Sequence, residues 1–377
     1  MSTDRRVALL VEALGDPDRV RCVRAPGRVN LMGDHTDYND GFVLPMAIDR
    51  DCVVAARPRA DDRVTVRSLE LDGTVDVASD GATDPSDVEP RWGRFAAGVV
   101  RALAGRGRVP VGLDAAVSST VPVGSGLSSS TALTVALALA LADAAGLTLP
   151  PVELAVACLE AEVMATGVPG GLMDQLVSLL GRAGHALLID CRTLDADPVP
   201  VPDGLAVLVA HSGLPRTLVD SEYASRRAAC EAAAAALGVP ALRDATLEQV
   251  RDDPIARHVV TENQRVLRTA EALRADDRAA LAPLLLASHA SLRDDYKVST
   301  PELDALVDAL VTAGALGARL TGAGFGGCVV ALAQRNHADD VAAKAVGRYR
   351  AETGLESAAF TARAVRGAGT LRPGEAT

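Results

Sequence analysis

The stretch Val121-Pro-Val-Gly-Ser-Gly-Leu-Ser-Ser-Ser-Thr131, followed by the apolar run Ala132 to Leu141, has the residue types to hold an anion. Gly124 and Gly126 let the backbone turn tightly and approach a ligand with no Cβ in the way. The serines that follow open a helix. There, hydroxyls satisfy free N–H groups and the dipole favours negative charge, phosphate being the usual one. A Walker A loop would add a lysine to reach the terminal phosphates. None is nearby; the only lysines of the chain are Lys297 and Lys344. A phosphate bound here would rest on backbone amides, hydroxyls and metal. The plainer alternative is a glycine turn ahead of a core helix.

Other residues could act beside such an anion. On a helix over 152–165, turning 100° per residue, Glu153 and Glu160 share one side while Glu162 falls opposite, with Ala155 and Cys158. An acid on an apolar stripe is costly unless paired or bound to metal. Glu162 is therefore a candidate Mg²⁺ ligand, with a buried ion pair to arginine as the alternative. Asp174 sits in the first turn of a short helix, just after the Gly170-Gly171 turn. It either complements the helix dipole or faces a substrate as a base. The loop from Gly27 to Asp40 gathers Arg28, Asp34, His35, Asp37 and Tyr38 between two apolar strands. Polar clusters on such loops carry sites, the alternative being a surface hairpin with a few salt bridges.

The elements that must position these groups mix helices with antiparallel-type strands and lack βα alternation, so an α+β fold is expected. Strands are read at 22–25, 41–54, 64–77, 113–121, 185–191, 206–210 and 358–365. Helices are read at 7–14, 92–103, 152–165, 262–275, 279–292, 302–313 and 338–351, with a long one through Tyr223. With 377 residues the chain suits two lobes, 1–197 and 203–377, joined at Pro198-Val-Pro-Val-Pro202. Gly322-x-Gly324-x-x-Gly327 matches a dinucleotide fingerprint by letter. A strand follows it where a helix is required, and no room remains for a second half, so that reading is rejected.

A net charge of −11 and a pI near 5.1 argue against nucleic acid or an anionic membrane as partner. The longest apolar run, 132–142, is too short to span a bilayer, and no signal-peptide core follows the polar N-terminus. The six cysteines show no C-x-x-C pair and no zinc spacing, which suits reduced core thiols in a cytoplasmic protein.

Four segments together resemble one family. Arg24-Ala-Pro-Gly-Arg-Val-Asn-Leu-Met-Gly-Asp-His-Thr-Asp-Tyr-Asn39 is similar to the galactokinase signature. Pro122 to Thr131 and Leu320-Thr-Gly-Ala-Gly-Phe-Gly-Gly-Cys328 resemble the phosphate loop and third motif of the GHMP kinases. Gly171-Leu-Met-Asp-Gln175, Ser221-Glu-Tyr223 and Ser288 to Tyr296 are similar to galactokinases in particular.

The resemblance implies a two-lobed fold with ATP and sugar meeting between lobes, and transfer of the γ-phosphoryl of ATP to the anomeric hydroxyl of α-D-galactose. It implies that Gly124, Ser125, Gly126, Leu127, Ser128, Ser129 and Ser130 wrap the phosphates, and that Ser130 and Glu162 hold Mg²⁺. Asp174 would take or orient the proton of the sugar's 1-hydroxyl, with Arg28 steadying negative charge. Asp34, His35, Thr36, Asp37, Gly171 and Tyr223 would contact the sugar. Trp92, Phe95 and Ser68 fall where the family places adenine contacts. A monomer is expected, with sugar and ATP as its only partners.

The sequence departs from the family pattern at Asp34, where galactokinases usually have Glu, and at Thr131, Gly170 and Met32. The shorter Asp34 leaves open a sister kinase acting on arabinose, galacturonate or an N-acetylhexosamine. A non-catalytic sugar sensor is the alternative of another class.

Overall fold

The computed structural model describes residues 1–214 and 219–371. The first lobe runs through α1 (Thr3–Leu14), β1 (Arg21–Asn30), β2 (Phe42–Val43), β3 (Pro45–Arg59), β4 (Arg63–Ser68), β5 (Thr74–Ala78), α2 (Gly93–Ala104), β6 (Gly112–Ser119), α3 (Ser129–Ala144), α4 (Pro151–Thr166), α5 (Met173–Leu180), β7 (His185–Asp190) and β8 (Ala196–Pro200). The second lobe follows with β9 (Leu205–His211), α6 (Val219–Leu237), α7 (Pro254–Arg274), α8 (Arg278–Asp294), α9 (Pro301–Thr312), β10 (Gly317–Thr321), β11 (Cys328–Gln334), α10 (Ala338–Thr353) and β12 (Ala358–Ala362). A last strand, β13 (Gly369–Leu371), pairs antiparallel with β1.

The strand orders are β13-β1-β3-β6-β4-β5 in one sheet, β10-β11-β9-β12 in a second and β2-β7-β8 in a third. Pairing is antiparallel except between β4 and β6, which agrees with the α+β expectation. α3 is apolar all round, Ala and Leu alternating with little polarity, and it is accordingly buried against β1 and β3. α4 starts with Pro151 at its first position and stops at Gly167, whose φ of 77° is the left-handed conformation that ends helices. The second lobe's core gathers Leu208, Val259, Leu306 and Tyr349 between its sheet and helices.

Some boundaries differ from the sequence reading, each for a physical reason. Pro198 to Pro200, expected as part of a bare joint, lies in β8 and pairs with β7. β8 is an edge strand, where a missing N–H costs least. β13 returns to the first sheet, so a cut at 203 divides the chain but not the sheets. α7 begins at Pro254 rather than 262, capped by the Asp253 side chain on Ala256 N. Its first turns carry buried His258 and Glu262, which interrupt the apolar periodicity. The polar segment between β9 and α6 lies partly outside the described residues. Among those residues no helix is long and apolar enough to cross a membrane.

One feature of β1 sets up the site. The β1–β3 register slips between Pro26, opposite Asp51, and Arg28, opposite Ala47. Such a bulge re-aims the side chain that follows. At the bulge, Gly27 passes so close to the serine-rich turn that a Cβ would stand 2.7 Å from Leu127 O and 3.0 Å from Val121. Arg28 N then donates to Leu127 O at 3.1 Å. Gly27→Ala is expected to push the turn off the strand, costing about 1–3 kcal/mol of stability by overpacking. A denaturant midpoint that stays at the wild-type value would contradict this packing.

Candidate active site

Arg28 leaves β1 toward a cavity of about 260 Å³ lined from both lobes. Asp174 reaches the same cavity from the first turn of α5. The two form a bidentate pair: Nε donates to Oδ1 and Nη2 to Oδ2, each at 2.7 Å. The third guanidinium nitrogen, Nη1, donates to Gly126 O at 2.6 Å, tying the pair to the glycine turn. Ser128 Oγ also bonds Asp174 Oδ2. An ionised carboxylate offers about four acceptor sites. Arg28 takes two and Ser128 one, which leaves one directed lone pair for an incoming hydroxyl.

The turn itself is an anion cradle. Gly124 and Gly126 have φ of 71° and 80°, and Ser128, entering α3, has φ 62°. Among the described residues, none of the backbone N–H groups from Gly124 to Ser130 donates to a protein acceptor. The side chains of Ser125 and Leu127 turn inward, Ser125 Oγ donating to Pro122 O at 2.7 Å and Leu127 joining the core. These two residues can offer only backbone. A second cavity, about 230 Å³ and largely apolar, adjoins Ser129 and Ser130 and is lined by Ser68, Trp92 and Phe95 together with Leu71, Val123 and Leu133. Leu71 and Val123 are unusually exposed for apolar residues, at 41% and 75%. A flat apolar base would cover them.

Glu162 faces the cavity, as the helical periodicity predicts, while Glu160 lies outside and pairs with Arg106 at 2.7 Å. The ion-pair alternative for Glu162 is not what the structure holds. Its carboxylate accepts from Ser130 Oγ at 3.0 Å, Thr131 Oγ1 at 2.8 Å and Gln175 Nε2 at 2.9 Å, with no arginine in ion-pair contact among the described residues. Burial pushes the Glu162 carboxyl above its usual range, and nearby Asp174 adds to the push against these donors. A half-buried carboxylate with hydroxyl oxygens and no counter-charge is a donor set suited to a hard divalent cation.

The polar loop places Asp34, His35 and Asp37 on the cavity wall, with Tyr223 across from them on α6. Gly171 also lines the wall; a Cβ there would fall 1.9 Å from Asp37 Oδ2, so only glycine leaves room for that carboxylate. Thr36 does not reach the cavity. It is fully buried, and its hydroxyl is spent on Gly33 O at 2.9 Å and Phe42 O at 2.7 Å, which fixes the loop's shape. Asp34 is held from behind: Oδ2 is 2.5 Å from Arg319 Nη2 and Oδ1 accepts from Gly322 N at 2.9 Å.

That support was invisible in the sequence. Arg319 stands beside Glu262 at 3.6 Å, and Glu262 accepts from Gly33 N, Ser288 Oγ and Arg265 Nε. Against the upward push of burial, Arg265 and Arg319 hold the Glu262 carboxyl below its usual range. His258 adds a bond to Asp34 O at 3.2 Å. The spacing of Glu262 and Arg265 is that of an ordinary surface pair on a helix, which is why neither drew attention. The hairpin between β10 and β11 holds Gly322 and Ala323 against this loop, so the glycines at 322, 324 and 327 serve a tight turn and no dinucleotide unit.

Residues 10–58 match the family described as the galactokinase galactose-binding signature. Residues 94–182 match the GHMP kinases N-terminal domain and residues 269–351 the GHMP kinases C-terminal domain. The structure is similar to Lactococcus lactis galactokinase, solved in complex with galactose, at a TM-score of 0.90 and 31% identity over 97% of this chain and 100% of that one. The fold is also shared with a mevalonate kinase from Methanococcus jannaschii, at a TM-score of 0.67 and 17% identity over 92% of this chain and 98% of that one. A likeness of that identity along the whole length of a solved galactokinase means that this chain belongs to the galactokinase family of the GHMP kinases.

Proposed function

We propose that this protein transfers the γ-phosphoryl of ATP to the 1-hydroxyl of α-D-galactose. The observation that carries the reading is the bidentate Arg28–Asp174 pair, facing a sugar-sized cavity at the mouth of a turn whose N–H groups are free. The sugar's 1-hydroxyl donates to the open lone pair of Asp174. As its oxygen bonds to the γ-phosphorus, the hydroxyl proton passes to Asp174 and the bond from phosphorus to the β-phosphate bridging oxygen breaks, releasing ADP. Arg28 faces the charge that spreads over the phosphoryl oxygens, and the N–H groups of 124–130 hold the phosphates in line. The apolar cavity with Trp92 and Phe95 receives the adenine.

Ser130 and Glu162 would hold Mg²⁺, consistent with a carboxylate that has hydroxyl neighbours and no guanidinium partner. When bound, that ion neutralises phosphate charge. Asp37, Gly171 and Tyr223 form the sugar wall, with Asp34 contributing whatever acceptor capacity Arg319 and Gly322 leave it. Cytoplasmic location and a monomeric state complete the reading.

Purified protein with galactose, ATP and Mg²⁺ is expected to yield ADP and galactose 1-phosphate. Asp174→Asn should lower kcat at least a thousandfold while calorimetry still detects sugar binding. Turnover with arabinose, galacturonate or an N-acetylhexosamine in place of galactose would reassign the substrate. Binding of sugar and ATP with no phosphate transferred would make the protein a sensor.

Glu162→Gln is expected to raise the Mg²⁺ concentration for half-maximal rate about tenfold or more, with the thermal midpoint nearly unchanged. A lowered midpoint with unaltered Mg²⁺ dependence would mark Glu162 as structural.

Asp37 yields a pH prediction. Burial, and next the charge of Asp174, pushes its carboxyl up to about 7. The unfolded chain releases that proton near 3.9. Between those values the folded state binds more proton than the unfolded one, so this group's stabilisation is complete below about pH 4 and fades as pH rises through about 7. Asp37→Asn cannot ionise, and its urea midpoint should gain on the wild type from pH 5 to about pH 7 and level off toward pH 8. Parallel curves for the two proteins would remove Asp37 from the titration.

A further inference from the structure

His35 lines the sugar cavity, yet both of its ring nitrogens are already engaged. Nε2 is 3.2 Å from Ala323 O and Nδ1 is 2.8 Å from Tyr38 Oη. A carbonyl oxygen only accepts, so Nε2 must carry a hydrogen. Burial, and then His258, lowers the His35 imidazole to about 3 against the pull of that carbonyl, so the ring is neutral near pH 7. A neutral ring protonated at Nε2 has a bare Nδ1, and Tyr38 must donate to it.

The rest of the chain of bonds is then forced. Tyr38 has one hydroxyl hydrogen and has spent it, so its oxygen accepts from Tyr296 Oη, 2.7 Å away. Tyr296 has likewise spent its hydrogen, and accepts from Cys230 Sγ at 3.2 Å. The relay runs one way, from thiol to phenol to phenol to imidazole to the carbonyl of the glycine hairpin. Backbone geometry agrees that His35 is held with care. Its φ is 66°, a conformation a side-chain-bearing residue adopts only where surroundings impose it, and Asn39 Nδ2 clamps its carbonyl at 2.9 Å.

We propose that Tyr38, backed by Tyr296 and Cys230, is a positioning residue that, together with the Ala323 carbonyl, holds the His35 ring as the Nε2–H tautomer latched to the Ala323 hairpin, so that His35 meets the sugar with its ring and not with a nitrogen. This rests on the sugar-kinase reading for its substrate, and makes the expected His35 contact one of the ring face rather than of a ring nitrogen. The latch gives the cavity a rigid neutral wall where a free imidazole would turn and titrate. It also joins the galactose-signature loop of the first lobe to the glycine hairpin of the second.

Tyr38→Phe keeps the ring and deletes the donor. In ¹⁵N-histidine-labelled wild-type protein at pH 7, the His35 signal should show a protonated Nε2 and a bare Nδ1. In Tyr38→Phe the Ala323 carbonyl still keeps the hydrogen on Nε2, and the bare Nδ1, deprived of its donor, should move to the shift of a nitrogen without a hydrogen bond. The KM for galactose should rise about tenfold, with the KM for ATP unchanged and kcat falling by less than the KM rises. Tyr296→Phe leaves the Tyr38–His35 bond in place, so the tautomer should persist and the KM rise should be smaller.

Wild-type His35 protonated at Nδ1, or doubly protonated at pH 7, would overturn the proposal. So would a Tyr38→Phe protein with the wild-type Nδ1 shift and KM. The spectroscopic arm needs no turnover, so failure of the latch and failure of the kinase reading would be told apart.

Discussion

Positive charge is the scarce quantity at this site. Four carboxylates, those of Asp34, Asp37, Glu162 and Asp174, line the principal cavity, and Arg28 is the one guanidinium that lines it with them among the described residues. Like charges brought together in a poorly solvated place raise one another's cost of ionising, which is what happens to Asp37 and Glu162. The bidentate geometry of Arg28 on Asp174 is therefore a requirement: moved to a single contact, the guanidinium would leave Asp174 among three other acids. A neutral polyol can enter such a cavity freely. A polyphosphate cannot, unless its charge is met by backbone N–H groups on one side and by a cation on the other. In the proposed reading those two needs are met by the amides of the serine-rich turn, unpaired among the described residues, and by a cation held on the oxygens of Ser130 and Glu162.

The sugar-facing loop owes its shape to residues that never touch the cavity. Glu262, Arg265 and Arg319 are buried or nearly so, and burying such charges seldom adds stability. Instead Glu262, held by Arg265, fixes the N–H of Gly33, Arg319 fixes the carboxylate of Asp34, and His258 joins them on the carbonyl of Asp34. The second lobe thus acts as a mould for a loop of the first. Thr36 contributes in the same way from within the loop, its hydroxyl turned onto backbone carbonyls.

How much of this the sequence disclosed follows the range of the interactions. Glu162 was found by periodicity because an acid on an apolar helical stripe is a local contradiction. The serine-rich turn was found because glycine spacing and helix-start residues are local too. Arg28 and Asp174 were brought together only through resemblance, since 146 residues separate them and no local pattern records their contact. Arg319 lies in β10 just ahead of the glycine motif that opens at Leu320, and nothing local records its contact with Asp34. Glu262 and Arg265 looked like a solvated pair one turn apart. The return of β13 to β1 joins residues nearly the whole chain apart, and three strand residues carry no sign of their partner. Thr36 is placed among the sugar contacts by the resemblance alone, and nothing local shows that its hydroxyl turns onto Gly33 O and Phe42 O.

The distribution of aromatic residues ties the charge problem to recognition. Aromatic side chains make up 2% of this chain, and of its four tyrosines Tyr38, Tyr223 and Tyr296 surround His35. Ring centroids lie 5.7 Å apart between His35 and Tyr223 and 4.7 Å between His35 and Tyr296. A sugar is told from its epimers by polar contacts whose positions do not drift, because a misplaced hydroxyl then strands a buried partner. Carboxylates alone make a poor frame for such contacts, since they repel one another and draw in water. Stiff rings with hydroxyl edges supply shape and hydrogen bonds without adding charge. In a site already crowded with acids, that is the kind of wall that can define a sugar while leaving Arg28 to Asp174.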